Sequence, residues 1–195
     1  MTPIIKTQSK QILLLVVTGC SKGIGLGYAK DLAQRGMNLI LIARKEDLLK
    51  QIASELTQNY GIKVEIILAD FSKGPSIYPN IEKGIAGKDI GILVNNVGVS
   101  GEPLTFFHKM SQEDMWSVLN VNISSMAAMC KMVLPKMVEK KKGAVINIAS
   151  VTAFGPMPFI TLYSSSKAFV DFLSRGLAAE YSDYGITVQC VYPGK

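Results

Sequence analysis

The chain has very few of the residues from which metal sites and disulfide frameworks are built. Its 195 residues include a single histidine, His108, and three cysteines, at positions 20, 130 and 190, which lack metal-ligand spacing. A site built from several histidines is therefore excluded, and His108 is interpreted as an incidental loop residue. The absence of a disulfide framework predicts a reduced, intracellular protein.

Long apolar runs, internal repeats and low-complexity segments are also missing. The first apolar run, residues 12–17, ends at Thr18, whereas a membrane-spanning helix needs about 20 apolar residues. We therefore expect no transmembrane segment, and no signal peptide either, because this run fits the first strand of a sheet. Since no linker divides the sequence, its length predicts a single domain over residues 1–195.

Acidic residues are outnumbered, with 15 Asp and Glu against 21 Lys and Arg, which gives a formal net charge of +6. The densest basic cluster, 140–142, precedes a predicted strand and has no interleaved aromatic residues, which favours a solvated loop. We expect no nucleic-acid partner. Peripheral contact with an anionic membrane surface, or with the phosphate of an acyl-CoA, stays open because basic residues serve both.

Apolar runs and helical stretches alternate along the whole chain, and 48% of the residues are hydrophobic. This alternation predicts an α/β fold, a doubly wound parallel sheet with helices on both faces in three layers. The predicted strands are 11–17, 38–43, 63–69, 90–94, 143–149 and 186–192. The predicted helices are 24–35, 45–59, 75–87, 111–139 and 159–181.

A glycine-rich turn joins the first strand to the first helix in Thr18-Gly19-Cys20-Ser21-Lys22-Gly23-Ile24-Gly25. Glycines here let the backbone approach a pyrophosphate, whose charge lies at the positive amino end of the helix. The predicted cofactor contacts are Gly19, Ser21, Lys22, Gly23, Ile24 and Gly25. The alternative is a turn that only packs a helix on a strand.

The second strand ends in Ala43-Arg44, where a dinucleotide-binding unit places the residue that contacts the adenosine ribose. No carboxylate is present to bind a free 2′-hydroxyl, while Arg44 and Lys22 can both pair with a 2′-phosphate. This predicts NADP(H) rather than NAD(H) as the cofactor. The alternative is that Arg44 only begins the next helix as an exposed charge.

Tyr163 and Lys167 are four residues apart and lie on one face if 159–181 is helical. A free tyrosine has a pKa of about 10, and a nearby positive charge favours its phenolate. Taken alone, the pair also fits an ordinary surface pair. Ser150, at a predicted strand end, likewise fits a serine bonded to local backbone.

Together, these residues resemble the short-chain dehydrogenase/reductase family over nearly the whole chain, and Ser150 lies at the family's distance of thirteen residues from Tyr163. Further segments match the family pattern: Asp70 resembles its adenine-contacting acid, Asn95-Asn96-Val97-Gly98 its Asn-Asn-Ala-Gly segment, and Asn122 its active-site asparagine. The resemblance implies that Asn95, Asn96 and Gly98 are cofactor residues, and that Tyr163 and Lys167 contact the cofactor as well. Within the family, the 17β-hydroxysteroid dehydrogenases of types 3 and 12 and the very-long-chain 3-oxoacyl-CoA reductases are the most similar branch.

The resemblance also implies a mechanism. Tyr163 would give a proton to a carbonyl oxygen that receives hydride on its carbon, while Ser150 holds that oxygen. Lys167 would favour the ionised tyrosine and hold the nicotinamide ribose, and Asn122 would keep a water in place to resupply the proton. The implied substrate is a lipid-like ketone or alcohol, a 3-oxoacyl-CoA or a steroid.

The resemblance also implies an oligomeric state and a cellular location. It implies a homodimer formed through helices 111–139 and 159–181, and an endoplasmic reticulum membrane location, with the cytoplasm as the alternative. In the family, Pro193-Gly194 begins the segment that contacts the nicotinamide, and a substrate loop, a helix and a last strand follow. Because the sequence stops at Lys195, we expect a Rossmann domain truncated at its C-terminus. The competing hypothesis is a catalytically impaired protein that binds a nucleotide or a partner.

Overall fold

The computed structural model describes residues 14–101 and 104–194, and its centre is a six-stranded sheet. All neighbouring strands run parallel, in the order β3-β2-β1-β4-β5-β6. The strands are β1 Leu14–Thr18, β2 Asn38–Ala43, β3 Val64–Leu68, β4 Ile90–Asn95, β5 Gly143–Ile148 and β6 Ile186–Val191. The predicted doubly wound fold is confirmed, and residues 11–13 of the first predicted strand lie outside the described residues.

Helices occupy the connections between the strands. The α-helices in the described residues are α1 Gly23–Gln34, α2 Glu46–Tyr60, α3 Tyr78–Ile85, α4 Gln112–Val118, α5 Ser125–Lys140 and α6 Thr161–Glu180. A π-helical turn, Leu119–Ser124, joins α4 to α5, so the predicted helix 111–139 is interrupted in its middle. Short 3₁₀ turns are found at Phe71–Ile77, Phe107–Lys109, Val151–Phe154 and Ser182–Tyr184.

The central strands are buried on both faces because helices cover both sides of the sheet. Alternate residues of a strand point to opposite faces, and β1 shows this directly. Leu15 and Val17 pack in one core with residues of α1 and α2, such as Leu32 and Leu49. Val16 packs in the other core with residues of α3, α5 and α6. The continuous apolar runs of the sequence reflect this two-sided burial.

The strand order reverses between β1 and β4, which are neighbours in the sheet although β2 and β3 separate them in sequence. The connections leaving these two strands go to opposite sides, so a crevice opens at their carboxyl ends. Turns that follow the strands meet at this edge of the sheet. The fold therefore positions a binding site there.

One helical run in the described part of the chain, Gln112–Lys140, is long and apolar enough to cross a membrane by length and composition. Half of its most apolar window is buried in the protein, and Met129, Val133 and Met137 belong to the core. The core helix of a soluble protein meets the same two criteria. This run is therefore weak evidence for a membrane span, and the described residues contain no clear one.

Candidate active site

A cleft of about 1060 Å³ opens at the carboxyl edge of the sheet, where the strand order reverses. The turns after all six strands contribute to its lining, together with the first turns of α6. Most predicted site residues line it, namely Gly19, Ser21, Lys22, Gly23, Ile24, Arg44, Asp70, Asn96, Gly98, Ser150, Tyr163, Lys167, Pro193 and Gly194.

The glycine turn after β1 is held against the segment after β4. The Thr18 hydroxyl oxygen accepts hydrogen bonds from the backbone N–H groups of Asn96, at 3.0 Å, and Val97, at 3.2 Å. The Asn96 side-chain amide donates to the carbonyl oxygen of Gly19 at 2.9 Å. A Cβ on Gly19 would lie 2.8 Å from the Val97 Cα, and one on Gly25 would lie 2.5 Å from the Gly19 oxygen. Gly25 does not line the cleft, but it makes this close packing possible.

The amino end of α1 is open toward the cleft. Lys22 is the N-cap residue, and no side chain caps the helix. Gly23 has a φ of +56°, and a Cβ there would meet nothing within 4 Å. The first backbone N–H groups of a helix have no intrahelical partner, so an uncapped helix end of this kind can bind an anion.

Two charged residues lie in the turns after the neighbouring strands. Arg44 follows β2 directly and is exposed, as is Lys22 on the glycine turn. Neither residue forms an ion pair within the described ranges. Asp70 follows β3, and one of its carboxylate oxygens accepts from the Ser72 N–H at 3.1 Å and the Ser72 hydroxyl at 2.8 Å. This end of the cleft is basic on one side and carries an oriented carboxylate on the other.

Tyr163 and Lys167 lie at the other end of the site, on the first two turns of α6. The Lys167 ammonium nitrogen is 5.7 Å from the centre of the Tyr163 ring. It donates to the carbonyl oxygen of Ile148 at 2.9 Å, and its side chain is buried. Burial lowers the pKa of Lys167 from 10.5 to about 8. The group is still protonated at neutral pH, so a positive charge lies beside the tyrosine.

Ser150 follows β5 and is the N-cap residue of the 3₁₀ turn Val151–Phe154. Its hydroxyl oxygen accepts from the backbone N–H of Thr152 at 3.2 Å. In the described residues this hydroxyl donates to no protein acceptor, so its proton is available to a group bound in the cleft. Pro193 continues the same wall, because its carbonyl oxygen accepts from the Val151 N–H at 3.1 Å.

Asn122 lies behind the cleft wall and not on it. It belongs to the π-helical turn and is 2% exposed. Its amide oxygen accepts from the Val99 N–H at 2.9 Å. Its amide nitrogen donates to the Val99 carbonyl oxygen at 2.8 Å and to the Ser166 hydroxyl at 2.9 Å. Both amide protons are therefore engaged by the protein itself.

Asn95 is, after Gly25, the second predicted cofactor residue that does not line the cleft. It is the last residue of β4, and its amide donates to the Asn147 side chain at 2.9 Å and to the Cys130 sulfur at 3.3 Å. Neighbouring strand residues point to opposite faces, so Asn95 turns toward α5 while Asn96 reaches the glycine turn. Its place in the structure is in the sheet, where it pairs with β5.

The family model described as short chain dehydrogenase matches residues 14–195. The chain belongs to this family. The predicted family membership is confirmed.

Two relatives also agree with the predicted branch. The very-long-chain 3-oxoacyl-CoA reductase of Anas platyrhynchos is 47% identical over 180 residues, which cover 91% of this chain and 58% of the relative. The inactive hydroxysteroid dehydrogenase-like protein 1 of Homo sapiens is 44% identical over 178 residues, which cover 91% of this chain and 54% of the relative. This short-chain dehydrogenase thus spans little more than half the length of these relatives.

Solved structures share the fold closely. A short-chain dehydrogenase from Sphingobium yanoikuyae, in complex with NADPH, superimposes with a TM-score of 0.87 at 35% identity, covering 93% of this chain and 70% of that one. The bulky-bulky ketone specific alcohol dehydrogenase from Comamonas testosteroni gives a TM-score of 0.88 at 32% identity, covering 94% and 73%.

Sequence reasoning missed the apolar wall of the cleft in this short-chain dehydrogenase. That wall is formed by Leu104, Val121, Met157 and Ile160. Three of the four lie in the connections that follow β4 and β5, whose carboxyl ends carry predicted site residues. A search of those connections for apolar side chains could have found Leu104, Met157 and Ile160. It could not have found Val121, which reaches the cleft from the π-helical turn.

Proposed function

We propose that this protein is an NADP(H)-dependent oxidoreductase that interconverts a keto group and a hydroxyl group on an apolar substrate. One observation carries the proposal. Ser150, Tyr163 and Lys167 line one end of a cleft whose other end is formed by the glycine turn and Arg44. The cleft thereby combines a proton donor, a hydroxyl group for the carbonyl oxygen and a site for a dinucleotide.

The cleft fits a nicotinamide dinucleotide. The uncapped amino end of α1 and the glycine turn suit its pyrophosphate. Arg44 and Lys22 supply two exposed cations where the adenosine ribose would lie, and a guanidinium binds phosphate in a bidentate manner. Asp70 would contact the adenine ring, and Gly98, Pro193 and Gly194 the nicotinamide half. These features favour NADP(H), and the relative from Sphingobium yanoikuyae was solved with NADPH.

The side chains divide the chemistry between them. The cofactor, when bound, supplies hydride for the carbonyl carbon. Ser150 donates its available hydroxyl proton in a hydrogen bond to the carbonyl oxygen and fixes its position. Tyr163 transfers its proton to that oxygen as charge develops there. The Lys167 ammonium stabilises the resulting phenolate by its positive charge and would hold the nicotinamide ribose. Asn122 would keep in place the water that returns the proton.

The substrate proposed is lipid-like, a 3-oxoacyl-CoA or a steroid. The apolar wall of the cleft favours it, and so do the names of the relatives, a very-long-chain 3-oxoacyl-CoA reductase among them. We also propose a homodimer that works at the endoplasmic reticulum membrane. A catalytically impaired, nucleotide-binding or partner-binding protein is the second candidate, because one relative at 44% identity is called inactive.

The first experiment follows NADPH oxidation by absorbance with 3-oxoacyl-CoAs and ketosteroids, in the wild-type protein and in Tyr163→Phe. We expect turnover in the wild type and a loss of at least about 100-fold in kcat in the variant, because the proton donor is removed. Fluorescence titration should show that the variant still binds NADPH and that NADH binds more weakly than NADPH to both proteins. Binding of NADPH without turnover in either protein would favour the second candidate. Equal affinity for NADH and NADPH would contradict the role of Arg44.

A further inference from the structure

A continuous chain of hydrogen bonds runs behind the cleft from Val99 to Tyr163. The Asn122 amide nitrogen donates to the Val99 carbonyl oxygen at 2.8 Å and to the Ser166 hydroxyl oxygen at 2.9 Å. The Ser166 hydroxyl in turn donates to the backbone carbonyl oxygen of Tyr163 at 2.6 Å. The cleft wall after β4 is thereby joined to the first turn of α6.

Ser166 links Asn122 to Tyr163 in this series of hydrogen bonds, and it has no role in the mechanism proposed above. It is completely buried, at 0% exposure, and Asn122 is 2% exposed. Its single proton goes to Tyr163, so its oxygen faces Asn122 as an acceptor, and the direction of the whole chain is fixed. Without the hydroxyl, one Asn122 N–H would be buried with no partner. An unpaired buried donor is unfavourable, which favours a displaced position of the Asn122 side chain.

The position of Ser166 explains why this matters for chemistry. It lies between Tyr163 and Lys167 in sequence, and Lys167 is anchored separately on the Ile148 carbonyl oxygen at 2.9 Å. The turn that carries the proton donor therefore has two attachments, one to the sheet through Lys167 and one to the cleft wall through Ser166. Val99 is part of the lining on the same side as Gly98.

We propose that Ser166 is a positioning residue that fixes Tyr163 relative to Asn122 and the Val99 wall. Ser166 does not touch the substrate, and it acts through Tyr163 and Asn122. The proposal rests on the oxidoreductase function proposed above. Proton transfer requires the reacting atoms to be aligned, and misplacement by about 1 Å can reduce a rate about 100-fold.

The same helix offers a matched control in Ser174. It is 2% exposed, accepts from the Asn147 amide at 2.9 Å and donates to the Val170 carbonyl oxygen at 2.6 Å. The two serines thus have the same burial and the same kinds of partner. Only Ser166 is bonded to Tyr163 and Asn122. A purely structural role predicts that replacing either serine has the same consequences.

The experiment compares Ser166→Ala with Ser174→Ala for thermal stability, NADPH binding, kcat and the pH dependence of kcat. We expect similar losses of Tm and unchanged NADPH affinity in both variants. Ser166→Ala should lower kcat by about 10-fold or more and displace the pH–rate profile, because proton transfer is misaligned. Ser174→Ala should keep kcat within about twofold and leave the profile in place. Equal kcat in the two variants would overturn the proposal.

Amide hydrogen exchange gives a second readout that needs no turnover. The Val99 N–H donates to Asn122, so its exchange should quicken in Ser166→Ala and stay as in the wild type in Ser174→Ala. Unchanged exchange at Val99 in Ser166→Ala would overturn the connection. A wild-type protein that binds NADPH without turnover would overturn the oxidoreductase function, while the exchange at Val99 would still decide whether Ser166 joins Asn122 to α6.

Discussion

The Lys167 ammonium group is buried, and burial disfavours its positive charge. Burial lowers its pKa from 10.5 to about 8, although it still donates to the Ile148 carbonyl oxygen. The folded protein releases this proton near pH 8, whereas the unfolded chain holds it until about pH 10.5. Between these values the unfolded state binds more protons, so the contribution of Lys167 to the free energy of unfolding rises with pH. Below pH 8 the cost of burying the charge is present in full.

We predict that the wild-type protein gains stability relative to Lys167→Met as pH rises from 8 to 10.5, by on the order of 3 kcal/mol. Urea unfolding at several pH values measures it. The comparison is needed because burial also raises the pKa of Cys20 and Cys130 to about 12. Those thiols destabilise both proteins equally in alkali, so their effect cancels in the difference. Parallel pH curves for the two proteins would refute the burial argument for Lys167.

Individual site residues could be predicted where the chemistry follows the chain locally. Gly19 and Arg44 directly follow strands, and Ser150 lies two residues past the end of β5. Tyr163 and Lys167 are helical neighbours, so the common location of these residues follows from the fold. The direction of Asn95 could not be predicted, because it depends on which face of β4 meets Cys130 and Asn147. Ser166 was missed for the same reason, since its partner Asn122 is 44 residues away in sequence.

At the scale of elements, the strands were predicted to within a few residues because buried strands are continuous apolar runs between turn residues. The predicted helix over 111–139 shows that apolar periodicity does not reveal a local change in helix type. One π-helical turn, Leu119–Ser124, adds a residue to a single turn in the middle of this run. An apolar pattern averaged over many turns does not resolve that addition. It lies at the turn that carries Asn122, and π-turns are frequent at functional sites.

The C-terminal end of α5 places a non-glycine residue, Lys141, in a strained backbone conformation. Lys141 is the C-cap residue with a φ of +50° and a ψ of +39°, in the left-handed region that disfavours side chains. Glycine accepts this conformation without steric cost. We predict that Lys141→Gly stabilises the protein by about 0.5–1 kcal/mol, measured as a higher urea midpoint. The converse change at the cap of α2, Gly61→Ala with a φ of +66°, should lower it. A decrease for Lys141→Gly would contradict the prediction.

For the whole molecule, alternation of strands and helices was sufficient to predict a doubly wound sheet, because parallel strands need helical crossovers and short connections place successive strands side by side. The exact register, such as Asn95 beside Asn147, is a property of packing in three dimensions. It determines which polar groups meet inside the sheet. That is why the cleft could be predicted in outline and the hydrogen bonds behind it could not.

Assembly is the remaining property at this scale, and α6 leaves Phe172 75% exposed on its outer surface. If two copies pair through α5 and α6, as proposed, this side chain is buried between them. We predict that Phe172→Glu weakens the dimer at least about 30-fold, because an unpaired charge would enter an apolar interface. Analytical ultracentrifugation measures the change. Phe154→Glu is the matched control, since Phe154 is 70% exposed and lies in the 3₁₀ turn after β5 and not on α5 or α6. A wild-type protein that sediments at its monomer mass of 21.2 kDa would exclude the dimer. Equal weakening of the dimer by both variants would contradict an interface formed by α5 and α6.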